Sequence, residues 1–258
     1  MNALSDWVAT LPALMALGLI AWIVASARRN VGLVDIAWSL FFLLAASVLA
    51  LRAPEVGARG WILICLVALW ALRLAAYLAI RNWNAPEDRR YRAIRARNEP
   101  GFAWKSLYLV FALQALLAWL IAAPLAVAIP APGAPAALGV LGTIIAGCGI
   151  AYETVADWQL ARFKADPGHS ARVMDRGLWR LSRHPNYFGE FCVWWGFYLL
   201  AAEAGGWWTA FSPVLMSVLL LRVSGVVLLE RDIGERRPDY RRYVSRTNAF
   251  FPGPSREA

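Results

Sequence analysis

The sequence is short of most of what soluble enzymes use to build a polar site. Its 258 residues include only two histidines, His169 and His184, which excludes a multi-histidine metal centre of the membrane desaturase kind. Three cysteines, Cys65, Cys148 and Cys192, are scattered through apolar stretches with no CxxC or Cys/His ligand spacing. They predict neither a disulfide framework nor a zinc site, and read as buried, inert thiols. There is no GxGxxG fingerprint, no Walker loop and no GxSxG elbow, so a Rossmann, P-loop or α/β-hydrolase site is excluded. Charge is sparse at 17% of residues, against about a quarter in a soluble domain. Lysine is nearly missing, with two against 24 arginines.

What is present is hydrocarbon. Hydrophobic residues make up 60% of the chain, in runs long enough to cross the roughly 30 Å of a bilayer core. They lie at about 7–26, 33–51, 60–80, 106–129, 135–160, 187–202 and 207–229. The fold class expected is all-α: a polytopic bundle of seven transmembrane helices forming one integral-membrane domain over 1–258. The first run follows no basic segment and precedes no small-residue cleavage site, so it reads as a retained helix.

Charge asymmetry tests that count. The connections after the first, third, fifth and seventh runs carry 22 of the 26 basic residues, which by the positive-inside rule places the N-terminus outside and the C-terminus in the cytosol. The net charge of +9 fits this pattern better than a nucleic-acid surface, whose basic residues share one polar face. Arginine's planar fork suits phosphate, whereas topology alone accepts lysine equally. The excess therefore points to a polyphosphate ligand on the cytosolic side; anionic lipid headgroups are the competing explanation.

Ionisable residues at membrane depth usually face a cavity or a partner. Here they are Asp35, Arg73, Glu153, Asp157, Glu190 and Arg222. Glu153 and Asp157 share one helix face, and Arg73, Tyr77 and Arg81 form an i, i+4, i+8 row. Helices surrounding one polar cavity would satisfy these charges; mutual ion pairs locking the bundle are the alternative.

The stretches "ETVADWQLARFK", "GLWRLSRHPNYFGEFCVWWGF" and "RRPDYRRYVSRTNAFFP" resemble the membrane steroid 5α-reductase family and its bacterial relatives. That family shares a superfamily with sterol reductases and isoprenylcysteine carboxyl methyltransferases. The resemblance covers roughly residues 30 to 254. It implies a seven-helix bundle that binds NADPH from the cytosol and a lipid-like enone from the bilayer. Carried over residue by residue, it implies that Asn186 and Glu190 serve the nicotinamide and ribose side, and Arg172 a phosphate. It places Glu153 and Asp157 as the polar pair of the fifth helix, where the animal enzymes have Asn in place of Glu153. Lys164 stands at a usually basic position, and Arg73 with Tyr77 match an Arg-x-x-x-Tyr pair of the third helix. Arg183, His184 and Tyr187 in the second motif, and Tyr240 and Arg246 in the third, complete the implied cofactor-binding set.

The implied reaction reduces the Δ4 double bond of a 3-oxo-Δ4 steroid or similar enone. Hydride goes to the β carbon, and an acid near the carbonyl oxygen meets the developing enolate. Asp35, in "NVGLVDIAWSL", is the expected acid, kept protonated by a low-dielectric pocket. The family's partner tyrosine is replaced by Trp70, leaving Trp38 and Tyr77 as candidates for the second catalytic donor. The expectation is thus a multi-pass enzyme of a bacterial cytoplasmic membrane, its active site facing the cytosol, with lipids and a bilayer-borne substrate as partners and no metal or nucleic acid. An S-adenosylmethionine-dependent methyltransferase is the rival enzyme, and a non-catalytic lipid-binding or transport protein the rival of another class.

Overall fold

The structure, a computed structural model, describes residues 3–169, 172–223 and 239–256. Among these residues every regular element is helical: α1 (Ala3–Ala27), α2 (Val34–Arg52), α3 (Ala58–Asn82), α4 (Arg89–Asn98), α5 (Phe102–Ile121), α6 (Ala123–Ala128), α7 (Ala137–Ala165), α8 (Pro185–Glu203), α9 (Trp207–Val223) and α10 (Asp239–Arg246). Shorter turns join them. Helices α1, α2, α3, α5 and α7 are long and apolar enough to cross a membrane, as in a multi-pass membrane protein. Only 22% of the α1 window is buried, and Leu19, Ile20 and Ile23 lie on its surface. Such a face is costly in water and matched by lipid.

Five such helices are found among the described residues. The sixth run forms α8, which falls outside the five, and the seventh forms the shorter apolar α9. Residues 224–229 of that run, with Arg231, Arg236 and Arg237, lie outside the described residues. The fourth run is interrupted. Pro124 has no N–H to give and its ring would strike the preceding turn, so α5 ends at Ile121 and α6 restarts with Pro124 in its first turn. Cys65 and Cys148 are exposed on membrane-length helices rather than buried; the apolar surroundings that suggested burial are those of a lipid-facing surface.

Two compact units divide the chain: Met1–Gly139 with Leu200–Thr209, and Val140–Leu199 with Ala210–Ala258. In the first, Ala25, Val31, Leu33, Val34, Tyr91, Phe102, Val110 and Phe111 form a buried cluster that draws the polar helix α4 onto the starts of α2 and α5. At its other end Glu203 accepts from Arg59 Nη2 at 3.0 Å and from the amides of Ala136 and Gly139 at 2.8 Å each. Arg59 Nη1 also donates to the Pro132 carbonyl and Nη2 to that of Ala134, at 3.2 Å each. Trp7 and Trp119 stack at 4.4 Å and exchange indole N–H bonds with each other's carbonyls.

In the second unit α7 and α8 touch through glycine. A Cβ on Gly149 would lie 2.7 Å from the Gly189 carbonyl, and one on Gly189 would lie 2.7 Å from Glu153 Cβ. Only two bare Cα atoms allow so close an approach.

Candidate active site

In the first unit, α4 and the segment before it form a polar strap over the start of α2. Asp88 caps α4 by accepting from the Arg90 amide at 2.9 Å, satisfying one of the orphan donors of a helix start. Glu87 accepts twice from Arg95, at 2.9 and 2.8 Å, and once from the Val31 amide at 2.9 Å. Asn30 donates to the Ala85 carbonyl at 3.1 Å, and Arg28 stacks over Trp83 at 4.3 Å. Gly32 leaves room for the Tyr91 ring: a Cβ there would meet Tyr91 Cδ2 at 3.3 Å.

The strap delivers two side chains to Asp35. Arg90 Nη2 donates to Oδ2 at 2.9 Å, and the Tyr91 hydroxyl donates to Oδ1 at 2.5 Å. Gln114 Nε2, on α5, donates to the Tyr91 oxygen at 3.4 Å. Both Asp35 oxygens are engaged, Oδ2 by the Arg90 guanidinium and Oδ1 by the Tyr91 hydroxyl. Asp35, the acid expected from the sequence, thus shares its two oxygens between Arg90 and the Tyr91 hydroxyl. Burial pushes the Tyr91 phenol well above its ordinary range, and the Asp35 charge adds to the rise. The strap carboxylates go the other way. Burial alone would raise Glu87, but the Arg95 hydrogen bonds, the Val31 amide and the nearby guanidinium charges hold it below the usual range.

Tyr91 lies outside the sequence expectation because its segment is polar and falls between spans. Only the single aromatic in "EDRRYRAIR", spaced to face inward with Ile94, signals it. Trp38 is instead packed edge-on against Phe42 at 5.3 Å, and Phe42 against the fully buried Trp70 at 5.7 Å. These rings form an apolar row along α2 and α3. Arg73 and Tyr77 stand half-buried one turn apart on α3, with Arg81 over the Tyr77 ring at 5.5 Å.

In the second unit, Asn186 Nδ2 donates to Asp157 Oδ1 at 3.2 Å. Glu153 and Glu190 are buried beside them, on the faces that Gly149 and Gly189 bring into contact. His184 is buried, its ring stacked on Tyr187 at 5.7 Å. Arg183 Nη1 donates to the carbonyls of Thr247 and Val244 at 2.8 and 3.3 Å, closing the end of α10. Tyr240 is buried against Tyr243, whose hydroxyl donates to the Trp179 carbonyl at 2.5 Å. Arg183 and Tyr240 thus hold the C-terminal segment in place. Lys164 is exposed near the end of α7.

Beside these residues the same unit opens a cleft of about 670 Å³, with Arg172, Arg176, Arg180, Arg242 and Arg246 on its walls. Phe163, His169 and Tyr243 line it as well, with Asp175 and Asp239 as its acids. His169 stacks flat on Phe163 at 4.4 Å. Of the residues expected to bind a cofactor, Arg172 and Arg246 line this cleft, while Asn186 and Asp157 meet at the α7–α8 contact. Arg176, Arg180 and Arg242 join the wall unannounced: their spacing in sequence resembles ordinary positive-inside charge.

Over residues 21–247 the chain matches the family described as "Protein of unknown function (DUF1295)". A stretch of 95 residues, 35% of this chain, is 35% identical to the Uncharacterized protein C594.04c of Schizosaccharomyces pombe, and spans 27% of that protein's length. No solved structure matches the chain. With the match running from the end of α1 to the end of α10, the chain belongs to the DUF1295 family.

Proposed function

We propose that this protein is an NADPH-dependent membrane reductase of the steroid 5α-reductase type, acting on the Δ4 double bond of 3-oxo-Δ4 steroids or similar lipid enones. The observation that carries the reading is the arginine-lined cleft. Its volume of about 670 Å³ lies within the roughly 300–1,000 Å³ typical of small-molecule sites. Five guanidinium forks outnumber two aspartates on its walls, and such forks fit phosphate oxygens. A dinucleotide phosphate is a polyanion that this field attracts. S-adenosylmethionine carries a sulfonium and an ammonium and no phosphate, so the same field opposes it and disfavours the methyltransferase rival.

On this reading Arg172, Arg176, Arg180, Arg242 and Arg246 hold the phosphates. Asp157, Asn186, Glu153 and Glu190 supply the hydrogen-bonding groups for the nicotinamide and ribose side. When bound, NADPH supplies a hydride equivalent. The resemblance assigns to Asp35 the task of meeting the negative charge that develops on the substrate carbonyl oxygen. The arginine-rich connections face the cytosol, with the N-terminus outside, as the positive-inside rule directs; the cofactor then enters from the cytosol and the substrate from the bilayer.

The test is a binding and turnover experiment on detergent-solubilised protein. Saturable NADPH fluorescence changes and NADPH oxidation driven by an enone panel are expected. Saturable binding of S-adenosylmethionine with no response to NADPH would replace this reading by the methyltransferase one, and binding of lipid alone by the transport one.

A further inference from the structure

The first unit carries a cationic surface of its own, separate from the cleft and independent of the reductase reading. We propose that the outer face of α4 binds the phosphate headgroup of an anionic phospholipid, in the leaflet that meets this end of the helices. The chain itself fixes the level at which α4 lies. Helix α3 runs to Asn82 and α5 starts at Phe102, and both are long and apolar enough to cross a membrane, so α4 is tied to a span at each end. Its ten residues rise only roughly 15 Å. Tyr91 and Ile94 pack into the cluster of Ala25, Leu33, Val34, Phe102 and Phe111, which lays α4 across the end of α1 and the starts of α2 and α5. Indoles mark the same level. Trp104, in the first turn of α5, is 70% exposed, and Trp83, just after α3, is 46% exposed; such rings gather where hydrocarbon gives way to headgroups. Trp22 Nε1 donates to the Ala103 carbonyl at 2.8 Å, and its ring lies 5.1 Å from that of Trp104.

Helix α4 contains five arginines and no acid, and the fold divides them into two sets. Arg90 pairs with Asp35 and Asp88, and Arg95 with Glu87. These two are half-buried and hold the strap. At 3.6 residues per turn, Arg92, Ala96, Arg89, Ala93 and Arg97 follow one another around an arc of about 140°, and all five are exposed. Arg92 and Arg97 donate to no described residue. The two alanines keep the space between the guanidinium groups open. Topology alone would accept these charges anywhere in the connection, and as lysine; it does not call for three arginines spread over one outward face. Planar forks at the headgroup level suit the oxygens of a phosphodiester. The acyl chains of the same molecule meet the apolar surface of α5, where Tyr108, one turn beyond Trp104, and Leu113 are exposed. A free phosphate would gain the charge contacts without the apolar ones, which is why a lipid is the occupant.

The test uses the full-length protein, purified in detergent with equal amounts of phosphatidylglycerol and phosphatidylcholine. Native mass spectrometry reads the ratio of the two lipids in the complex that retains one lipid. The wild-type chain should prefer phosphatidylglycerol. Arg92→Gln and Arg97→Gln should each lower that preference about fivefold, the worth of one basic side chain at an anionic surface, and the double variant should lower it further. A control pair, Arg162→Gln with Arg241→Gln, removes the same charge from exposed positions in the second unit and should leave the preference at its wild-type value.

No preference in the wild-type chain, or an equal fall in the control pair, overturns the proposal. So does displacement of phosphatidylglycerol by inorganic phosphate at matched concentration, which would make this a site for a free anion. Should the glutamine variants fail to fold, Ala93→Glu decides by setting a carboxylate between the guanidinium groups: the preference should vanish, and an unchanged one overturns the assignment. None of these measurements uses NADPH or an enone, so their outcome and that of the reductase test are read separately.

Discussion

Asn186 and Asp157 meet across α7 and α8 with the amide donating to the carboxylate at 3.2 Å, and they meet there because Gly149 and Gly189 let the two helices close. A helix-interior Gly→Ala change is ordinarily favourable by about 1 kcal/mol. At Gly189 the added Cβ would sit 2.7 Å from Glu153 Cβ and 2.8 Å from the Gly149 amide-carbonyl oxygen, so the helices must part. Gly189→Val should therefore destabilise the protein, by about 1–3 kcal/mol as overpacking does, and should weaken NADPH binding. Thermal unfolding in detergent beside an NADPH titration checks both.

The arginine cleft makes a prediction about discrimination. Arg172→Ala should weaken NADPH roughly 10- to 100-fold, the worth of a hydrogen bond to a charged group, and NADH much less. Equal losses for the two cofactors would remove Arg172 from the 2′-phosphate that distinguishes them. Arg246→Ala, on another element of the same cleft, should behave likewise, and NADPH binding should weaken with added salt.

Acid should loosen the strap. Burial pushes Glu87 up, but Arg95, the Val31 amide and Arg92 bring its folded value below the unfolded one. For a depressed carboxylate the stabilisation is fully present above the ordinary carboxylate range and is lost as pH falls through the lowered value. Hydrogen exchange in residues 83–98 should rise over that acid interval. Glu87→Gln should raise exchange already at neutral pH and flatten the acid dependence.

Glu203 should matter far from this chemistry. Its side chain and that of Arg59 are 12% and 10% exposed, so removing one partner strands the other's charge and two backbone amides. Glu203→Gln or Arg59→Met should cost about 3–5 kcal/mol, measured by thermal unfolding, with little change in NADPH affinity.

The sequence made the hydrocarbon legible. Long apolar runs located α1, α2, α3 and α7 to within a few residues, because lipid demands continuous apolarity and helical hydrogen bonding leaves no other choice. It misplaced the fourth run because hydropathy averages over Pro124, whose effect is steric. Charge at membrane depth marked Asp35 and Asp157, which meet Arg90 and Asn186, and Glu153, which is buried on α7. The partners themselves were partly hidden. Asn186 sits within a recognisable motif, but Tyr91 reaches Asp35 only through a tertiary fold-back of a polar segment, and nothing in local spacing encodes that. Arg183 lies in the same motif, and its guanidinium reaches the carbonyls of Val244 and Thr247 at the end of α10.

The order in which Asp35 and its companions are made has its own consequence. Arg90 and Tyr91 follow it by 55 and 56 residues, an interval of several seconds at about 5–20 residues per second of synthesis. The acid is thus made before the guanidinium and phenol that later hold it have left the ribosome. Nascent chains halted between α2 and α4 should carry an unaccompanied carboxyl at the membrane, a natural checkpoint for quality-control proteases.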